Sequence, residues 1–519
     1  MKLSIYIFLL ALLSLLIVSC VSIKRPIPEP LIDHYKISNV NVIDVVNKAI
    51  KFGKDVTVKN GLIASIEPHI EQENVTSQQA ITHSNKIVVI NGRGKYLIPG
   101  LWDNHSTLLQ TSPEIDFPLY IANGVTSIRS NLSCANENEV SIYACMKDKA
   151  LWQQTIQSDT MLGSTIQGWG TFPINGKKSS HPDLPIFHGA TTVEDARKVV
   201  EHYTAYPQTQ QPYFIKTYSW MMPEQYAELS AYAKQRGFEI SGHMPRSITL
   251  TSAVDAGQRS IAHARLFVFD CSTLAAELRA GKHRKLPLPE RYRLLIDTFD
   301  QQNCEKKYQY LAEHNVFLNP TLMTRRNDYY IVAGLLEKNQ GLDYAHYLVK
   351  MEFAEDAAKL GEDLSKEDIR AFKEFYQLTS NTIAKAQKAG VKILAGTDSW
   401  SEYNVPGFSL HEELQALADA GIDNYGILQA ATINGAEYFR IADQVGSIDV
   451  GKQADMVLLD ANPIDNIKHT QTINSVFKGA QIYQTKELQR LKKDVKSLST
   501  SHFLTVKILM MLIQNPRGF

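Results

Sequence analysis

The sequence predicts an α/β fold in which a (β/α)8 barrel carries a small discontinuous β-sandwich domain formed from both chain ends. Three observations predict it. Between residues 95 and 441, short apolar runs alternate with amphipathic helical stretches, the order that builds a parallel sheet. Eight such runs occur, and eight β/α units with insertions fit one barrel. Outside that stretch, β-branched runs punctuated by Gly and Asn read as small antiparallel strands, at 34–94 and again at 442–487.

The chain opens with Lys2 and the apolar run LSIYIFLLALLSLLIV, which has the length and flank of a signal h-region rather than a membrane span. Residues 1–19 are therefore expected to be a signal peptide. Ile17, Val18, Ser19 and Cys20 resemble a bacterial lipobox, in which cleavage before the cysteine is coupled to lipid attachment at Cys20. The expectation is an exported protein of the bacterial cell envelope, anchored by lipid and facing the periplasm from the outer membrane. Residues 20–33 contain KRPIPEP, and prolines favour an extended, solvated tether. Formal charge is balanced, with 54 basic and 54 acidic residues, so nothing points to a nucleic-acid partner.

The eight strand candidates are KYLIPGLW, GVTSIRS, TMLGSTIQ, YFIKTY, FEISGH, SIAHA, VFLNPTL and KILAGTD. Helical stretches such as TTVEDARKVVEHYTAY, PEQYAELSAYAKQRG and SNTIAKAQKAG lie between them. A charged helical insertion is expected at about 325–378, between the seventh and eighth strands. A tail, 488–519, closes the chain. Its run FLTVKILMMLI is too short to span a bilayer and is interrupted by Lys507. Apart from Cys20, four cysteines remain. An exported chain permits two disulfides in three connectivities, the sequence-local pairs being Cys134–Cys145 and Cys271–Cys304, with four buried thiols as the alternative.

In a barrel of this kind the chemistry sits at the C-terminal ends of the strands. The residues there are Asp103 and His105 on the first strand, Lys216 on the fourth, His243 on the fifth, His263 on the sixth and Asp398 on the eighth. One histidine at a strand end is ordinarily a packed or solvated side chain. Metal-competent residues at five strand ends point to a site. Tyr218 follows Lys216 by two and shares its strand face, and so faces a substrate or packs in the barrel. Arg246 and Arg265 could hold a substrate carboxylate in a bidentate pair or make surface salt bridges. His181, Arg325 and Arg326 read as loop residues near the mouth.

The motifs YLIPGLWDNH, FIKTY, SGHMP, SIAHA, NPTL, AGTDS and ATINGAEYFRIADQVGSIDVGKQADMVLLDANP resemble the amidohydrolase superfamily, in particular its imidazolonepropionase-like and prolidase-like members. The resemblance implies a distorted (β/α)8 barrel and a metal-dependent hydrolase acting on the C–N bonds of small amides, dipeptides or cyclic amides. It implies Zn²⁺ or another divalent metal, one or two ions, held by His105, Lys216, His243, His263 and Asp398. Lys216 would be carboxylated by CO₂, and Asp398 would be the general acid/base. One position departs from the pattern: Thr107 stands where the second histidine of a His-x-His pair is expected. A hydroxyl is a poor ligand for a borderline-soft cation. A single-metal hydrolase is the leading expectation, and a catalytically inactive binding or scaffold lipoprotein is the alternative.

Overall fold

The computed structural model describes residues 26–71, 87–138, 140–176, 188–336 and 340–514. Residues 1–19, where a signal peptide is expected, Cys20 and His181 lie outside the described residues.

Eight parallel strands form the barrel: Leu101–Ser106, Val125–Ser130, Thr165–Trp169, Phe214–Thr217, Glu239–Gly242, Gln258–Ala262, Phe317–Asn319 and Lys392–Ile393. The first three form one ladder, and the other five, with the short strands Ile174–Asn175 and His188–Gly189, form a seven-stranded one. Parallel bridges at Gly170–Phe214 and Ser106–Ser399 join the ladders at both seams, so the strands run in a ring. Asp103 helps close the second seam. Its carboxylate accepts from the backbone N–H groups of His105 and Thr397, each at 3.1 Å, and from the Thr397 hydroxyl at 2.7 Å.

The helix Lys366–Lys388 shows how sequence builds the outer ring. Ser365 accepts from the Asp368 N–H at 3.1 Å while the Asp368 carboxylate accepts from the Ser365 N–H at 3.0 Å, a reciprocal cap that satisfies two orphan donors. Ala371, Phe372, Phe375, Thr379, Ile383 and Ala386 then recur at helical spacing and are buried. This helix, with Leu322–Val332 and Tyr347–Gly361, fills the interval between the seventh and eighth barrel strands.

Strands from both ends of the chain share a second sheet. In hydrogen-bonded order it runs Gln481–Gln484, Ile473–Lys478, Met456–Leu459, Tyr96–Pro99, His34–Asp44, Ala49–Lys59 and Leu62–Pro68, with Val88–Asn91 also pairing to His34–Asp44. The sheet curls over its own apolar face, so that Tyr35 and Phe477, three strands apart, stack with ring centroids 5.5 Å apart. Tyr96–Pro99 leads through Gly100 into the first barrel strand, and so the small sheet is built onto the foot of the barrel.

Cys134 is bonded to Cys145 and Cys271 to Cys304. Closing loops of 11 and 33 residues restricts the unfolded chain, an effect of about 3 kcal/mol for loops of this order. The tail is helical: Thr485–Ser499 is followed by His502–Gln514, whose Leu504 and Ile508 pack with Ile115, Leu119, Val405 and Val495. Among the described residues, no helix is long and apolar enough to cross a membrane.

Candidate active site

A cavity of about 250 Å³ opens at the C-terminal ends of the barrel strands. Lys216, Tyr218, His243, His263, Arg265, Arg325, Asp398 and Glu402 are among the residues that line it. Ligand atoms of His105, His263 and Asp398 lie within 4.8 Å of one another. His105 Nε2 is 3.3 Å from Asp398 Oδ1, and His263 Nδ1 is 3.8 Å from Asp398 Oδ2. Lys216 and His243 line the same cavity, and the His243 ring meets the His263 ring edge to face at 4.5 Å.

Each imidazole is oriented by a neighbour. The Asn319 amide donates through Nδ2 to the Leu394 carbonyl at 2.8 Å, which turns its Oδ1 toward His105 Nδ1. His105 Nδ1 therefore carries the proton, and its Nε2 lone pair is free. That Nε2 is buried and has no hydrogen-bond partner. A cation beside Asp398 would satisfy it, and the donor set fits a divalent metal. Ser219 contacts His243 Nδ1 at 2.8 Å, and Thr321 contacts His263 Nδ1 at 2.9 Å. Burial, with the nearby Lys216 charge, holds His105, His243 and His263 well below the ordinary imidazole range, so all three are neutral and able to ligate.

Burial, helped by Arg129 and opposed by Asp398, brings the Lys216 ammonium down to about 8. Burial raises the Asp398 carboxyl, and the charges of Lys216, Arg265 and Arg325 offset only part of that rise. Burial lifts Asp103 to about 6 despite its three donors.

The backbone around the cavity is strained. His263 (φ 65°), Thr321 (φ 45°), Asp398 (φ 56°) and Glu402 (φ 48°) all occupy the left-handed region, which costs a non-glycine residue about 1–3 kcal/mol. Gly396 is required at its position: a Cβ there would lie 2.6 Å from the His105 backbone nitrogen.

Thr107 is buried one residue beyond the first barrel strand. Tyr218 lines the cavity and stacks on the His243 ring at 4.0 Å. Arg246 lies beside the cavity with its guanidinium over Trp220 at 4.7 Å and Phe269 at 5.0 Å. The loop reading of Arg325 and Arg326 is corrected: both stand on the helix Leu322–Val332. Arg325 is buried between Asp328 and Glu402, 2.7 Å from the latter, and Arg326 pairs with Glu412 at 2.7 Å. Their partners lie in other elements or one turn away, so local composition could not show the pairing.

Sequence reasoning missed Asn319, Ser219 and Thr321, whose only sequence signal is a polar residue at or just beyond a strand end. It also missed Lys149, a buried lysine that burial brings down to about 7. Lys149 donates to the Ser133 hydroxyl at 3.0 Å and to the Leu132 carbonyl, holding a cavity-lining loop that the Cys134–Cys145 bond also ties.

Solved structures share this architecture. A bottromycin amidohydrolase superposes with a TM-score of 0.67 at 18% identity, over 90% of this chain and 91% of that one. A Xaa-Pro dipeptidase gives 0.57 at 17% identity, over 87% and 100%. At these identities the likeness concerns the fold. Among curated proteins, a 5-methylthioadenosine/S-adenosylhomocysteine deaminase of Teredinibacter turnerae is 30% identical over 132 residues, 21% of this chain and 29% of the deaminase. An imidazolonepropionase of Streptococcus gordonii is 37% identical over 98 residues, 17% and 30% respectively. The chain thus spans under a third of the length of these curated relatives. A profile described as the amidohydrolase family matches residues 219–485, which takes in the fifth to eighth barrel strands and the return into the small sheet, and on that match the chain belongs to the amidohydrolase family.

Proposed function

We propose that the protein is an exported, lipid-anchored hydrolase that uses a divalent metal to cleave a C–N bond in a small amide or dipeptide bearing a carboxylate. The observation that carries this reading is the buried, unpartnered His105 Nε2 beside His263 and Asp398 at the barrel mouth. His105, His263 and Asp398 would hold one metal, with His243 and a carboxylated Lys216 placed to complete or extend the set. When bound, such a cation supplies a Lewis acid and a water acidic enough to be deprotonated near neutral pH.

The chain's own residues supply the rest. Asp398, its carboxyl raised by burial, can take a proton at one oxygen and return it to the departing nitrogen. Arg265 lines the cavity, and its Nε is buried without an acceptor, as are those of Arg246 and Arg291. None of the three makes an ion pair among the described residues, which leaves guanidinium groups able to take a substrate carboxylate. Tyr218, stacked on His243, lines the same cavity as Arg265. The Xaa-Pro dipeptidase and imidazolonepropionase likenesses support amide chemistry on a small molecule. The alternative, an inactive binding lipoprotein, is favoured by Thr107 alone.

Metal analysis of the purified protein, with hydrolysis assayed on N-acyl amino acids and dipeptides in zinc and bicarbonate, tests the reading. About one metal equivalent and turnover are expected, and Lys216→Ala should abolish both while leaving the fold intact. A protein that takes up no metal after growth in zinc would refute it. Loss of lipid labelling in Cys20→Ala tests the anchor separately.

A further inference from the structure

Composition and environment disagree at the helix His502–Gln514. A helix on a protein surface ordinarily carries a polar outer face. This one reads HFLTVKILMMLIQ, with Lys507 its one lysine and no arginine or acid. Leu504 and Ile508 cover the barrel side. The outer side leaves Phe503, Leu509 and Ile513 exposed, Ile513 by 77%, with Leu509 and Ile513 one turn apart on the same face. The apolar surface continues sideways. Thr505 contacts His346 Nε2 at 2.9 Å, and His346 opens the helix Tyr347–Gly361, whose Tyr347 and Met351 are also exposed.

The neighbouring helix Thr485–Ser499 is basic, with Lys486, Arg490, Lys492, Lys493 and Lys496 against Glu487 and Asp494. The described chain begins against this helix: Glu29 pairs with Arg490, and its N–H donates to the Tyr483 hydroxyl at 3.4 Å. Cys20 precedes residue 26 by six residues, a reach of at most about 20 Å.

We propose that this face, the apolar helix His502–Gln514 with the basic helix Thr485–Ser499 beside it, rests on an anionic lipid surface. The inference rests on the export and Cys20 anchor proposed above, which bring the same side of the molecule to a bilayer. Phe503, Leu509 and Ile513 enter the headgroup boundary, while Lys486 and Lys493 meet lipid phosphates. Lys507 donates to the Gln110 carbonyl at 3.2 Å and pairs with Glu114 at 3.3 Å, in the loop after the first barrel strand. Contact through this helix therefore sets how the catalytic mouth stands over the membrane.

The test uses the mature chain from residue 21, which carries no lipid, in co-sedimentation with phosphatidylglycerol/phosphatidylethanolamine vesicles and with phosphatidylcholine vesicles. The unaltered chain should sediment with the anionic vesicles, and about 0.5 M salt or phosphatidylcholine should release it. The double variant L509E/I513E should lower the bound fraction at least tenfold with an unchanged melting temperature. Absence of binding to anionic vesicles overturns the proposal, as does equal binding to both vesicle types. So does a chain that self-associates in sedimentation velocity through Leu509 and Ile513 while the double variant leaves vesicle binding intact. Lipid labelling of the full chain, with and without Cys20→Ala, reports on the anchor alone, so failure of that reading is seen independently of the vesicle result.

Discussion

Asp55 in the small sheet and Asp398 at the barrel mouth are both shielded from water, yet their surroundings act on them in opposite directions. Burial alone would raise Asp55. It is overcome by donors from the Asn39 N–H at 2.9 Å, His69 at 2.8 Å, Lys36 at 3.1 Å and the Ser38 hydroxyl at 2.9 Å, and the carboxyl falls to about 2. Asp44 follows the same course: burial is outweighed by Asn47 and Lys51, and it too falls to about 2. At the mouth, burial wins. Asp398 is raised, and Asp103 rises to about 6. The small sheet satisfies its carboxylates and gains stability. The barrel leaves its carboxylates ready to exchange protons and loses stability where their negative charge must be held.

The largest effect expected from this contrast is catalytic. Asp398→Asn keeps the shape and removes the exchangeable proton, so kcat should fall about 10³-fold. Asp55→Asn should leave kcat within about twofold while lowering unfolding stability by about 2 kcal/mol at pH 7. A strongly inactive Asp55→Asn would break the division of roles.

Stability against pH sharpens it. The folded pKa of Asp103 is raised, so the native state binds more protons between about pH 4 and 6, and stability falls as pH rises through that window. Asp44 and Asp55 are depressed, so their contribution is present above about pH 4 and is lost as pH falls toward 2. In urea unfolding of the metal-free protein, the unaltered chain should therefore lose about 3 kcal/mol more between about pH 4 and 6 than Asp103→Asn loses over the same window. A decline unchanged in Asp103→Asn would show that other groups set it.

The smallest effect concerns Thr107. Thr107→His restores the His-x-His spacing on the first strand. If the pocket accepts the ring, the variant should bind one more zinc equivalent and melt higher in zinc by mass action. Overpacking would instead cost about 1–3 kcal/mol with no added metal. Metal content together with melting curves, with and without zinc, separates the two outcomes.

Much of the barrel could be read before any coordinates. Strand-end residues such as His105, Lys216, His243, His263 and Asp398 announce themselves because an apolar run that stops at a polar side chain is a local pattern. The sequence-local cysteine pairs are another such pattern, since neighbours in sequence meet at little entropic cost. Only the tertiary structure decided that His105, His263 and Asp398 come within reach of one another, because distances across the ring depend on how eight strands tilt and pack. It also decided that Asn319 assigns the His105 proton and that Arg325 is spent on Asp328 and Glu402. The left-handed backbone at His263, Thr321 and Asp398 was equally invisible. Such a conformation is disfavoured for each residue alone and persists only because the surrounding fold over-determines it.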